Sequence, residues 1–332
     1  MNVSSLEWGV TLVGLMVLLL IDFVIVARRP HEPSMKESTL WVLFYVALAV
    51  AFGVYVYGKH GGTYGGEFFA GWLTEYSLSI DNLFVFVIIM GRFAVPRQYQ
   101  QKVLLIGIVI ALVLRGAFIA AGAAVVQQFS WVFYIFGAFL VYTAYTLLQH
   151  GEDDPDDFKE NVMIRWARRV LPLTDKYDGS KITIVAKNGK RLFTPMLIVF
   201  LAIGTTDLIF ALDSIPAIFG LTKEPYLVFT ANVFALMGLR QLYFLLGGLL
   251  SRLVYLSVGL AAVLAFIGVK LVLEALATNN LPFINGGEPV GWAPHIPIWL
   301  SLTVIIGTLV IATIASLVKS SRDRKISSPR SA

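Results

Sequence analysis

Thr74-Glu75-Tyr76-Ser77-Leu78-Ser79-Ile80-Asp81-Asn82 stands inside an apolar run from about Phe68 to Met90. A run of that length is what a helix needs to cross ~30 Å of hydrocarbon. Yet it carries two carboxylates, and each costs at least ~2.5 kcal/mol at the centre of a spanning helix even on the gentler insertion scales. An acid kept there at such a cost points to function rather than to packing. A second stretch matches it, Thr205-Thr206-Asp207-Leu208-Ile209-Phe210-Ala211-Leu212-Asp213-Ser214-Ile215-Pro216. Laying Glu75 on Asp207 puts Asp81 on Asp213, six residues on in both, and Asn82 on Ser214. Four intramembrane acids in two matching pairs suggest a cation site.

The rest of the chain fits a membrane. Of its 332 residues 57% are hydrophobic and only 14% charged, so dividing the length into soluble domains would be a mistake. The sequence predicts an all-α polytopic membrane protein with nine spans, near 8–27, 40–58, 67–90, 103–126, 130–149, 194–220, 226–249, 253–277 and 297–318. The first span has no basic leader, is too long for a signal-peptide core, and is followed by Arg28-Arg29, so it reads as a retained helix. Alternate loops and the tail hold 21 Lys and Arg against 2 in the opposite set. That bias predicts an outer N-terminus and a cytoplasmic C-terminus. It also accounts for the net charge of +5 without a nucleic-acid partner, since the basic stretches lack interleaved aromatics to stack bases. No cysteine is present, which removes disulfides, thiolate metal sites and cysteine nucleophiles.

Five regions follow. Residues 1–66 carry two N-terminal spans, and 67–150 a first three-helix unit. Residues 151–193 form a cytoplasmic loop, opened by the acid run Glu152-Asp153-Asp154-Pro155-Asp156-Asp157 and read as a solvated charge run. The loop then predicts an amphipathic helix near 158–171 and a hairpin turning at Asn188-Gly189. Residues 194–278 hold a second three-helix unit. Residues 279–332 hold an outer loop, the last span and a basic tail. The two units match beyond their acids: Arg115 falls on Arg240, and Phe136-Gly137 on Ile267-Gly268, at offsets of 125 and 131 beside 132 for the acids. Three is odd, so the copies would cross in opposite senses, as in transporters whose substrate sits at a repeat interface.

The donors available are Glu75, Asp81, Asn82, Asp207 and Asp213, with hydroxyls of Ser77, Ser79, Thr205, Thr206 and Ser214. All are hard oxygens, which suit Mn²⁺, Ca²⁺ or Mg²⁺, and could also serve a proton or Na⁺. The four histidines lie in loops or at span ends. Six residues turn an α-helix by about 600°, so Glu75 and Asp81 point ~120° apart. One straight helix cannot aim both at one ion. Pro216, which leaves the Leu212 carbonyl without its helical donor, predicts a distortion beside Asp213. Arg115 and Arg240 are the expected counter-charges, either as fixed ion pairs or as groups that trade places with the ion. Two arginines for four acids leave negative charge over, which favours an ion site over internal salt bridges alone. Asp22 and Ser214 are candidates to line the path, and Lys270 with Glu274, four apart, could pair on their own helix.

These motifs resemble the TerC family, named for tellurium resistance, and more closely its Alx-like branch. The resemblance rests on Glu75 to Val85, Phe210 to Phe219, Trp131 to Leu140, Asn188-Gly189 and Gly238-Leu239-Arg240. One departure is Gly204-Thr205-Thr206-Asp207, where related sequences often carry a further acid before the second motif. The resemblance implies efflux of a metal ion, chiefly Mn²⁺, with links to metal supply for exported metalloproteins and to tellurite resistance. Its expected partners are the bilayer, the metal ion, and such exported proteins or a second copy of the chain. No organic cofactor is implied. An exporter of an organic cation or amino acid, and a scaffold for envelope stress, stand as alternatives. Proton or Na⁺ coupling is expected, since no Walker-type loop occurs. An enzyme is not expected, since no histidine lies in a span and Asp81 and Asp213 lack the glycine-flanked setting of an aspartyl site.

Overall fold

The computed structural model describes residues 1–28, 33–129, 131–150, 162–174, 176–185, 191–246 and 255–327. The side chains of residues 26–28, 81, 84, 127, 150, 162, 163, 168, 213, 246 and 323–327 lie outside that description. Eleven α-helices are present among the described residues: α1 (Ser5–Arg28), α2 (Met35–His60), α3 (Gly62–Arg92), α4 (Arg97–Gln128), α5 (Val132–His150), α6 (Val162–Val170), α7 (Pro195–Phe219), α8 (Pro225–Met237), α9 (Leu239–Leu246), α10 (Leu256–Ala277) and α11 (Ile298–Ser327). They supply nine candidate spans, with α8 and α9 together making one over Pro225–Leu245 and α6 too short to cross. The chain is an integral multi-pass membrane protein, embedded in the bilayer through these helices.

Local chemistry sets the helix ends. Ser34 caps α2 by accepting from the Glu37 amide at 3.2 Å, with the Glu placed as in a capping box. A single residue, Gly61 at φ 103°, turns α2 into α3, a conformation only glycine adopts freely. Pro195 and Pro225 open α7 and α8, where their missing N–H is no loss. At the Gly61 end of the bundle Glu7 ties α1 to α2. It accepts from Tyr55 Oη at 2.9 Å and His60 Nε2 at 2.7 Å, and pairs with Lys59 at 3.0 Å.

Burial ranks the helices. The span over α8 and α9 is 89% buried, against 11% for α1 and 17% for α11. The interior is therefore α8 with α3, α4 and α7 packed on it, while α1, α2, α5 and α11 turn large apolar side chains such as Leu6, Val13, Tyr142 and Ile311 outward to lipid. Apolar groups facing outward are ordinary here, because hydrocarbon surrounds them. Outside the spans, β1 (Thr183–Val185) and β2 (Arg191–Phe193) pair antiparallel, with Thr183 opposite Phe193. Thr194 Oγ1 donates to the Lys181 carbonyl at 2.6 Å and fixes this hairpin to the start of α7. Helix α6 buries Ile164 and Ala167 against the α3, α4 and α7 core and leaves Trp166 exposed. The expected turn at Asn188-Gly189 and the acid run at 152–157 fall outside the described residues.

The structure departs from the sequence reading at four places. The seventh span is interrupted at the single residue Gly238, between the end of α8 at Met237 and the start of α9 at Leu239. The last helix runs on to Ser327 rather than stopping near 318. Helix α7 continues through Pro216 to Phe219, because the ring costs one hydrogen bond while neighbouring helices hold the backbone on both sides. Lys270 and Glu274 do not pair: Glu274 takes Lys223 at 2.8 Å and His295 at 3.1 Å, and Lys270 reaches Ser301 Oγ at 3.2 Å.

Candidate intramembrane ion site

Three helices bring three charges together. Helix α3 presents Glu75, α7 presents Asp207, and α4 places Arg115 between them; their exposures are 0%, 1% and 0%. Arg115 grips Asp207 in a fork, Nε to Oδ2 and Nη2 to Oδ1, both at 3.1 Å. Its Nη1 donates to Ser214 Oγ at 3.2 Å and pairs with Glu75 Oε1. Such planar two-point contact is what guanidinium offers and an ammonium does not. From the opposite side α8 supplies Asn232, whose Nδ2 donates to Glu75 Oε1 at 2.7 Å. Among the described residues, the buried Glu75 Oε2 has no hydrogen-bond partner, and neither do the buried Thr74 and Ser79 hydroxyls.

Two carboxylates around one guanidinium leave a net charge of −1 among these groups. In low dielectric that imbalance is expensive, and the orphaned Oε2 adds to it. A cation, or a proton, would settle both. Every neighbouring donor atom is oxygen or amide, consistent with a hard ion. Among the described residues no three of His, Asp or Glu converge as a ready-made metal cluster. In this arrangement Arg115 occupies the position between the carboxylates that an ion would take.

The remaining candidates divide. Asn82 is buried two turns below Glu75 on the same stripe of α3. The backbones of Asp81 and Asp213 lie six residues beyond Glu75 and Asp207 on α3 and α7, and their side chains lie outside the description. Ser77 and Thr205 donate their hydroxyls back to the Leu73 and Leu201 carbonyls, at 2.7 and 2.6 Å, so they serve their own helices. Arg240 does not join the central acids. It pairs with Asp22 of α1 at 2.6 Å, both buried. Tyr45 of α2 also faces Asp22. Among the described residues, Arg240 Nε and Nη1 have no partners, nor do the Gln241 amide and the side-chain oxygen of Gln101.

Sequence reasoning missed Asn232. It is a lone amide in a run of apolar residues, at 1% exposure, and intramembrane polarity alone was signal enough to mark it.

A family model for the integral membrane protein TerC family matches residues 60–324, which includes α3 through α10, nearly all of α11 and every member of the central cluster. The chain belongs to the TerC family. Within the TerC relatives, an uncharacterized membrane protein of Mycobacterium tuberculosis is 48% identical, covering 95% of this chain and 80% of its own. An uncharacterized membrane protein of Myxococcus xanthus is 39% identical over 94% and 92%. Alx of Escherichia coli K12, provisionally named a membrane-bound redox modulator, is 37% identical over 94% of both chains. No solved structure matches. The TerC match begins at residue 60, so the Asp22–Arg240 pair joins a residue outside it to one inside.

Proposed function

We propose that this TerC-family protein exports a divalent cation, most readily Mn²⁺, from the bacterial cytoplasm. The observation that carries the reading is the buried triad: Glu75 and Asp207, from two separate spans, share Arg115 and stay one positive charge short. A spanning helix tolerates such a group only where it has work to do. Asp81, Asn82 and Asp213 extend the oxygen set along the same two helices. The ion binds between the carboxylates as Arg115 withdraws, and Arg115 returns when the ion leaves. This exchange keeps the interior charge nearly constant through the cycle, which lowers the barrier to carrying charge across hydrocarbon.

The same reading takes the two three-helix units as inverted repeats that rock about the site to give alternating access. The pairing of Gly137 with its counterpart Gly268 supports this, because equivalent residues meet where a two-fold axis passes. The Lys and Arg bias of the loops supports a cytoplasmic hairpin region and C-terminus. Proton or Na⁺ coupling is expected. The chain acts as a transporter rather than an enzyme, with Mn²⁺ as cargo.

The test is cell manganese in a manganese-sensitive bacterial host expressing the wild type, Glu75→Gln, Asp207→Asn, Asp81→Asn or Asp213→Asn, with membrane levels matched. Lower manganese with the wild type alone supports the site. Equal lowering by all five makes the acids structural and ends the proposal. A redox role, suggested by the name of the Alx relative, has a physical route here only indirectly at the protein's own side chains: a chain without cysteine has no thiol pair to oxidise. Altered manganese supply would change redox balance without one.

A further inference from the structure

A second carboxylate lies on α3 above the central site. Glu67 precedes Glu75 by eight residues, ~12 Å along the helix axis. It borders a cavity of about 330 Å³ at the end of the bundle away from the hairpin, between the start of α3 and the ends of α7 and α10. Other charges around this cavity are already matched. Glu224 takes the Met1 ammonium at 2.7 Å, and Glu274 takes Lys223 at 2.8 Å and His295 at 3.1 Å. Lys223 also lies over the Phe133 ring at 4.9 Å.

Glu67 and Lys270 are the two left over. Glu67 Oε2 accepts from Thr222 Oγ1 at 2.6 Å, and its Oε1 has no hydrogen bond to any described residue. Among the described residues, the hydrogen bond of Lys270 is to the Ser301 hydroxyl, at 3.2 Å. Both border the same cavity, yet no ion pair joins them. An anion and a cation thus face one space without touching. Between Glu67 and Glu75, Thr74 falls on the stripe of Glu67, at 0% exposure, with its hydroxyl unpartnered. Glu67 and the buried Thr74–Glu75 end of the triad are thus two levels of one helix, ~10–12 Å apart.

We propose that this cavity is the release station for the exported cation, with Glu67 as its carboxylate ligand and Lys270 as the charge that keeps binding weak. The inference rests on the export reading above. A site that passes an ion on must attract it and then let it go. A carboxylate supplies the attraction. An ammonium across the same cavity lowers affinity by repulsion. At the central site the Arg115 guanidinium likewise opposes a bound cation, there in direct contact with the acids.

Mn²⁺ binding to the full-length protein in detergent tests this, with free Mn²⁺ followed by its electron paramagnetic resonance signal. Wild type should bind in two classes, one tight and one weak. Glu67→Gln, which keeps an oxygen for Thr222, should weaken or remove the weak class by at least roughly tenfold and spare the tight one. Lys270→Gln should tighten the weak class by a similar factor, a gain that misfolding cannot mimic. Glu75→Gln should remove the tight class. A weak class absent from wild type, unmoved by Glu67→Gln, or unchanged in Lys270→Gln overturns the release station and leaves the central site standing. Survival of the tight class in Glu75→Gln overturns the central reading, and with it the station that depends on it.

Discussion

Gly137 of α5 and Gly268 of α10 meet backbone to backbone. A Cβ on Gly137 would lie 2.7 Å from the Gly268 carbonyl oxygen, and one on Gly268 would lie 2.9 Å from the Gly137 oxygen. Backbone cannot swing aside as a side chain can, so neither position accepts a methyl group without the helices parting. Close approach through small residues is how spanning helices gain contact when lipid removes the hydrophobic drive. Gly137→Ala and Gly268→Ala should each destabilise the protein by about 1–3 kcal/mol, and the double variant by less than the sum, because the first change already opens the gap. Thermal unfolding in detergent reads this. Additive losses would mean that the two glycines do not share one contact.

Arg115 is the only described base at the central acids. Arg115→Gln leaves Glu75 and Asp207 buried without their cation, a loss of about 3–5 kcal/mol for a broken buried pair. Added Mn²⁺ should return part of it, about 2.7 kcal/mol at a hundredfold excess over its dissociation constant. The comparison is melting temperature with chelator and with Mn²⁺. Wild type should gain less than the variant, since there the ion must displace the guanidinium. A variant indifferent to Mn²⁺ would sink the idea that ion and arginine compete for one place.

Asn232 holds Glu75 Oε1 by a charge-assisted hydrogen bond of 2.7 Å. Asn232→Leu should lower stability by about 1.5–3 kcal/mol and weaken Mn²⁺ binding, because Glu75 loses the group that orients it. Parallel melting and metal titrations would show both effects. Unchanged metal affinity in a folded Asn232→Leu protein would confine the residue to packing.

The Asp22–Arg240 pair should behave as a unit. Asp22→Asn and Arg240→Gln each strand a buried charge, so each should destabilise, while the double variant should recover part of the loss. A coupling energy of about 0.5–3 kcal/mol is expected from the four-protein cycle. Zero coupling would mean that the 2.6 Å contact contributes nothing to stability. Since Asp22 lies outside the TerC match, a strong coupling would also mark α1 as more than a lipid-facing anchor.

Length, apolar runs and stray charges were enough to read the all-α fold and the spans, because hydrocarbon forces each crossing segment to satisfy its own backbone. The same rule exposed Glu75, Asp207 and Arg115, since charge stands out wherever every neighbour is apolar. Partnership was another matter. Nothing in the spacing of Arg240 tells that it meets Asp22, or that Glu274 prefers Lys223 and His295 to Lys270 four residues away. Asn232 reaches Glu75 across 157 residues of chain. One-dimensional sequence determines what a segment can be when its solvent decides alone. Which charges meet is decided by how the helices pack around one another, and that belongs to the tertiary structure.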